Sequence, residues 1–341
     1  MKQEIVILDP SLDQAVAIAK YLKKFGNYKI IGCFDYKKLG ILSKFDNHKY
    51  FDEIIFQELN HLLFDKYSII IPVGASSALN YFKSANICTI GEVDFKKENL
   101  VVSDKIYMLN LCKQLNIPIP KTYEHKQKIE KFPVFCKSRY EISDTMKIRK
   151  ILKSESDINS LPHSEVIIQE YINNLSTFGV GFIAKNGKII THFIHKELIS
   201  DPISGGSGVL LEKIDNKQLY NYTSVLLDAL NYTGWGLAEF KYVPTRDEYV
   251  FMEINAKFWA SLEFSLLCNP DFGKLLFGIE YPAKPRKYFA FINRLIVTYS
   301  WHIFRYLPQI IVSYKSISGS WRKLLVDFLN HWAGVFIKKK K

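Results

Sequence analysis

Two apolar runs in the second half of the chain, GWGLAEFKYV and EYVFMEIN, carry three oxygen-bearing side chains at spacings that strands would align: Glu239, Glu253 and Asn255. In the second run Val250, Met252 and Ile254 alternate with Tyr249, Phe251, Glu253 and Asn255, so a period of two puts the carboxylate and the amide on one face. The segment PTRDE at 244–248 supplies turn residues, and a hairpin centred near Arg246 sets Glu239 opposite Glu253 with Asn255 one pleat further on. Two facing carboxylates about 5 Å apart repel by roughly 3 kcal/mol at an effective dielectric of about 20, whereas a favourable cross-strand pair returns about 0.2–1 kcal/mol. The hairpin by itself leaves two readings open. It is a solvated sheet face whose register is shifted by a bulge, or a carboxylate pair gathered around a shared proton, a basic side chain or a cation. Two carboxylates and an amide oxygen are hard donors of the kind Mg²⁺ takes together with phosphate oxygens.

Lysines stand at three positions where their charge needs an account. SDKIYMLNLCKQLNIPIPKT, 103–122, reads as a capped helix with Lys105 in its first turn, where an ammonium opposes the helix dipole unless an anion is bound; an ordinary surface lysine is the plainer reading. FPVFCK sets Lys137 at the end of an apolar strand, where a partly buried ammonium needs a phosphate or a neighbouring Glu. Lys196 opens KELISDPISGGSG, which reads as a flexible glycine-rich loop.

The elements around these residues alternate between strand and helix. EIVILD is a buried strand, SLDQAVAIAKYLKKFG a helix with a Ser cap and a glycine stop at Gly26, and YKIIGCFD the next strand. This unit begins a parallel α/β domain that runs through YSIIIPVG to about residue 101. Neither G-x-G-x-x-G nor GK[ST] occurs in it, so no dinucleotide fingerprint or P-loop is present. VIIQEYI, 166–172, is an apolar strand with Gln169 and Glu170 at its exit, GVGFIAKNGKIITHFI is a hairpin turning at Asn186-Gly187, and IDNKQLYNYTSVLLDALNYTG is an amphipathic helix leading into the carboxylate hairpin.

Taken in order, the SDK-led helix, the strand-end lysine, the QEYI exit, the GG loop and the paired Glu and Glu-Ile-Asn strands resemble the ATP-grasp superfamily. The likeness is greatest to its carbamoyl-phosphate-synthase-like carboxylate-amine ligase branch, in which the last motif reads like EINPRFWGS; here it is EINAKFWAS. The likeness spans roughly residues 5–277. It implies an α/β and α+β architecture: an N-terminal parallel pre-ATP-grasp domain at 1–101, a small lobe at 102–172, a large lobe with the metal site at 173–283, and a basic helical extension at 284–341. It also implies ATP with its adenine against Gln169, Glu170, Tyr171 and Ile172, phosphates on Lys105 and Lys137, and Mg²⁺ or Mn²⁺ on Glu239, Glu253 and Asn255. The activity implied is activation of a small-molecule or carrier-linked carboxylate as an acyl phosphate for attack by an amine-like nucleophile, with Lys196 and Lys257 as catalytic residues. Two departures stand out. Lys257 replaces the Arg of relatives, a point charge in place of a bidentate fork. The loop SRYEISDTMK lacks the glycines of the usual phosphate flap, leaving Ser138, Arg139 or Lys147 to take that part. On these departures a second reading rests: a catalytically degenerate ATP-binding protein acting as a membrane-associated assembly or regulatory partner.

The net charge of +12 is concentrated at one end, since residues 284–341 hold 12 Lys or Arg against Asp327 alone. With Trp301, Trp321, Trp332 and the amphipathic run SWRKLLVDFLNHWAGVFIKKKK, this segment reads either as helices packed on the core or as a contact to an anionic membrane surface. No nucleic-acid motif accompanies the charge, and Asn293 and Arg294 interrupt the best candidate for a spanning helix. Five scattered cysteines without CxxC and an N-terminus without an apolar signal core lead us to expect buried free thiols and a cytoplasmic protein, peripheral on the inner membrane face if the tail makes that contact.

Overall fold

The computed structural model describes residues 2–35, 49–60, 63, 66–123, 129–140, 148–159, 161, 166–173, 176–201, 206–297 and 302–317. The chain begins with β1 (Gln3–Leu8), α1 (Asp13–Phe25) and β2 (Tyr28–Asp35). Ala15, Ala17, Ala19 and Leu22 of α1 are fully buried, and the helix stops at Gly26, whose N–H donates to Leu22 O. The expected Ser cap is absent: Leu12 occupies the cap position and Asp13 opens the helix. With β3 (Glu53–Gln57) and β4 (Ile70–Ile71) these strands form a parallel sheet in the order β3-β2-β1-β4. The helix α2 (Ala75–Ser84) and the antiparallel pair β5 (Ile87–Ile90) and β6 (Val93–Lys96) follow.

A 3₁₀ segment, Lys97–Ser103, feeds helix α3 (Lys105–Gln114), whose cap is Asp104: its side chain accepts from the N–H groups of Ile106 and Tyr107. The second sheet is antiparallel, in the order β7-β10-β8-β9, from β7 (Thr122–Tyr123), β8 (Val134–Ser138), β9 (Arg149–Leu152) and β10 (Val166–Glu170).

The largest sheet has seven strands. Its first hairpin, β11 (Thr177–Lys185) and β12 (Lys188–Asp201), turns at Asn186 and Gly187, both with positive φ, as a two-residue turn of primed type requires. Next come β13 (Ser207–Lys213), helix α4 (Lys217–Ala229), the hairpin β14 (Gly234–Val243) and β15 (Glu248–Asn255), and helix α5 (Leu262–Cys268). The sheet closes with β16 (Tyr288–Phe291) and β17 (Tyr314–Ser316), giving the order β15-β14-β11-β12-β13-β16-β17.

That order corrects the reading of 284–341 as a helical extension, because two stretches of it are strands of the main sheet. Phe289 and Phe291 are fully buried, and apolar alternation in YFAF outweighs the basic composition around it. Trp301, Trp321, Trp332 and the terminal amphipathic run lie outside the described residues. All five cysteines are buried and free. Among the described residues no helix is long and apolar enough to cross a membrane.

Candidate active site

The carboxylate hairpin forms in the register expected from its sequence. Glu239 pairs with Glu253, and a bulge follows immediately, between Glu239 and Phe240. The bulge lies beyond the pair and so leaves the two carboxylates facing. Asn255 donates through Nδ2 to Glu239 Oε1 at 3.1 Å and to Glu253 Oε1 at 3.4 Å, tying the three side chains into one cluster. Burial, reinforced by the charge of Glu253, pushes the Glu239 carboxyl well above the usual carboxylate range. For Glu253, burial acts in the same direction, but Lys105 and Lys137 reverse it and hold the group below its ordinary value.

Both lysines arrive from other elements. Lys105, at the first position of α3 and almost wholly buried, sets its Nζ 3.7 Å from Glu253 Oε2. Lys137, on β8 and equally buried, donates to Met252 O at 3.2 Å. Burial lowers Lys137 to about 8, with Lys105 and Arg149 adding repulsion and Glu253 opposing them. Two buried ammonium groups beside a carboxylate pair are a place for an anion and a cation together.

Three charged side chains not singled out from the sequence belong to the same field. Arg149 pairs across β8–β9 with Lys137, and its charge acts on Lys137, Glu239 and Glu253. Lys241 lies two residues along β14 from Glu239 and is lowered by burial. Glu197, on β12, is pushed up to about 7 by burial, although Ser200 Oγ donates to its Oε2 at 2.7 Å. None of the three carries a sequence signal, since the place of each depends on which strands pair.

Several expectations are corrected by the geometry. Lys196 is not in a loop, since β12 continues to Asp201. Its register row runs Lys196, Phe178, Phe240, Phe251, and its Nζ sits 5.7 Å over the Phe178 ring. Phe240 in that row meets Tyr222 of α4, so strand alternation puts Lys196 on the helix-covered face, opposite to that of Glu239. Arg139 does not reach for phosphates either: its Nε donates to Asp104 Oδ1 at 2.9 Å, clamping the cap of α3. Ser138 Oγ accepts from the Ile148 N–H at 2.8 Å, and Lys147 lies outside the described residues, as do residues 202–205 of the GG loop. Glu170 is held by Arg246 through two hydrogen bonds of 3.0 and 2.7 Å, so its carboxylate joins β10 to the hairpin turn.

The rest of this stretch lies at the end of β10 and just beyond it. Gln169 is 1 % exposed; its Nε2 donates to Thr122 Oγ1 at 3.1 Å while Oε1 is a buried acceptor without a partner, and Tyr171 and Ile172 follow half-buried. An orphaned buried acceptor is the counterpart an exocyclic amine would satisfy. Lys257, two residues past Asn255, contributes positive charge to both glutamates. Among the described residues no three His, Cys, Asp or Glu side chains form a ready metal cage. Two carboxylates and an amide nonetheless fit Mg²⁺, which completes its shell with water and phosphate oxygens, provided the Asn255 amide turns its oxygen inward.

No protein-family model and no curated protein matches the chain in sequence. Solved structures do match in fold. The Campylobacter jejuni biotin carboxylase bound to β,γ-ATP superposes with a TM-score of 0.58 at 14% identity, covering 83% of this chain and 73% of that one. N5-carboxyaminoimidazole ribonucleotide synthetase from Thermotoga maritima gives 0.54 at 15% identity, with 83% and 78% covered. Rhizobium etli pyruvate carboxylase gives 0.58 at 14% identity over 78% of this chain, which spans only 28% of that much longer protein. All three are built on one architecture, and the chain shares their fold.

Proposed function

We propose that the protein is an ATP- and Mg²⁺-dependent ligase that activates a carboxylate as an acyl phosphate and joins it to an amine-like nucleophile, forming a carbon–nitrogen bond. The observation that carries this reading is the convergence of Lys105, Lys137, Glu239, Glu253 and Asn255, from α3, β8 and the β14–β15 hairpin, on one partly buried cluster. The charge balance supports it. Lys105, Lys137, Arg149, Lys241 and Lys257 surround Glu197 and Glu239, both pushed up by burial, and Glu253, held below its ordinary value by the lysines, so positive charge is in excess, as a polyanionic nucleotide requires.

In the first step the bond from the γ-phosphorus to its bridging oxygen breaks as a bond to the carboxylate oxygen forms. Lys105 and Lys137 neutralise the phosphate oxygens, and Lys257 supplies a point charge where relatives place a guanidinium. Mg²⁺, or Mn²⁺ in its stead, held by Glu239, Glu253 and Asn255, adds charge neutralisation at those oxygens when bound. In the second step the amine nitrogen bonds to the acyl carbon as phosphate leaves. The amine proton passes to a base, for which Glu197, titrating at about 7, is suited. Lys196, on the other face of the sheet, has no part in these steps.

ADP release with pools of candidate carboxylates and amines tests the reading. The wild type should release ADP only with both substrates and Mg²⁺, and Glu253→Ala should lose roughly 10²-fold or more in kcat. Unchanged turnover and Mg²⁺ dependence in that variant would show the site to be misassigned, and nucleotide binding without ADP release in any pool would overturn the ligase reading.

A further inference from the structure

A cavity of about 600 Å³ opens where α1, α5 and β17 meet, and none of its lining residues belongs to the cluster of Glu239, Glu253 and Asn255. Its rim is basic: Lys20, Lys23, Lys24, Lys49 and Lys315 all line it. Two of these have carboxylate partners. Lys20 is 3.2 Å from Glu263, which also accepts from Tyr314 Oη and Ser316 Oγ, and Lys23 pairs with Asp52. Lys24, Lys49 and Lys315 have no carboxylate partner among the described residues. Lys24 Nζ stands 5.0 Å over the Phe25 ring and 5.9 Å over Tyr281, Lys49 Nζ stands 4.7 Å over Tyr50, and Lys315 donates to Ile311 O at 2.9 Å.

The walls are aromatic. Phe25 and Tyr281 pack at 4.1 Å between centroids, Tyr21 lies against both, and Tyr50 and Tyr314 complete the lining. Ammonium groups gathered around one concavity over a low-dielectric wall raise its positive potential, which draws in anions. A single carboxylate would neutralise one of the three lysines that lack a carboxylate partner among the described residues, whereas a phosphate dianion answers more of the excess, and lysine binds phosphate as a point charge. The tyrosine faces suit a planar ring attached to that phosphate, and the volume lies within the range of small-molecule sites.

We propose that this cavity is a binding site for an organic phosphate whose ring packs on Tyr50 and Tyr281 and whose phosphate is held by Lys24, Lys49 and Lys315. The proposal does not depend on the ligase reading. Phosphate of this kind reaches a protein as a soluble metabolite or as a lipid headgroup, and the test separates the two.

Isothermal titration calorimetry with phenyl phosphate, in saturating ADP and Mg²⁺, reads the site directly. Binding should weaken roughly tenfold or more in Lys24→Met/Lys49→Met, since two charge-assisted contacts are lost. Tyr281→Leu should weaken phenyl phosphate while leaving inorganic phosphate unchanged, and circular dichroism of both variants should match the wild type. Absence of binding to the wild type overturns the proposal, as does binding that ADP abolishes and the lysine variant leaves intact. Co-sedimentation with vesicles carrying phosphatidylinositol 4-phosphate, whose headgroup has a ring bearing a phosphate monoester, displaced by phenyl phosphate and lost in the lysine variant, identifies a headgroup as the phosphate source. Binding of phenyl phosphate without vesicle binding identifies a soluble one.

Discussion

His195 shares a register row with Gly179 and Glu239, yet it has little to do with the charges beside it. Its ring fills the space a Cβ on Gly179 would take, Nε2 lies 3.4 Å from Ser261 Oγ, and Nδ1 has no partner among the described residues. Burial lowers its pKa from 6.5 to about 4. Between those values the unfolded chain binds a proton that the folded chain refuses, so stability rises with pH there and is lost on acidification, by up to about 3 kcal/mol. Denaturant midpoints at pH 7 and pH 4.5 should therefore fall further for the wild type than for His195→Gln. Single residues were legible in the sequence where a strong period fixed them: Glu239, Glu253 and Asn255 follow from alternation and one turn. Arg149 and Glu197 were not, because their places depend on which strand pairs with which. Glu170 was read by its position in a motif, while its carboxylate is spent on Arg246, 76 residues away.

At the scale of elements, the approach to Asn255 depends on close packing in its own register row, which runs Asn255, Leu237, Gly181. A Cβ on Gly181 of β11 would stand 2.7 Å from the Trp259 ring, four residues beyond Asn255, so this strand is shaped to admit the indole. Trp259 in turn donates from Nε1 to Ser265 Oγ at 3.2 Å, fixing α5. Gly181→Ala should cost about 1–3 kcal/mol by overpacking, seen as a lowered Tm, and should weaken Mg²⁺–nucleotide binding by displacing the segment that carries Lys257. Helices α1, α3 and α4 and the β11–β12 and β14–β15 hairpins were readable from period and turn chemistry. The end of β12 was not. Pro202 and the glycines after it look like a loop, and their signal masked a strand that runs on to Asp201 and turns Lys196 away from the cluster.

For the molecule as a whole, the main sheet extends further along the chain than composition suggests. Phe289 and Phe291 are within 1 % of complete burial, and Arg294 reaches back to Gly208 O at 2.6 Å and to Asp13 at the start of α1. Full burial of two phenylalanines is worth roughly 3–6 kcal/mol, a large part of the 5–15 kcal/mol typical of a domain. A chain cut after residue 283 should fail to give a cooperative thermal transition, whereas one cut after residue 317 should retain it; circular dichroism melts of the two distinguish them. The parallel and antiparallel sheets were foreseeable from the order of motifs. The attachment of β16 and β17 was not, because a net charge of +11 over 284–341 drew attention from a four-residue apolar strand.

One edge strand of that sheet is β15, the other being β17, and an unpaired strand edge is a template for other chains. Here it is covered: Phe251 N–H donates to Pro118 O at 2.8 Å, and Met252 O accepts from Lys137. Lys137 thus also caps a backbone carbonyl on this β edge, a contact that keeps Met252 O from pairing with another strand. Lys137→Ala should accordingly scatter light and sediment as larger species on warming, in addition to requiring more ATP, and bound nucleotide, which cannot replace the lost donor at Met252, should not reverse it.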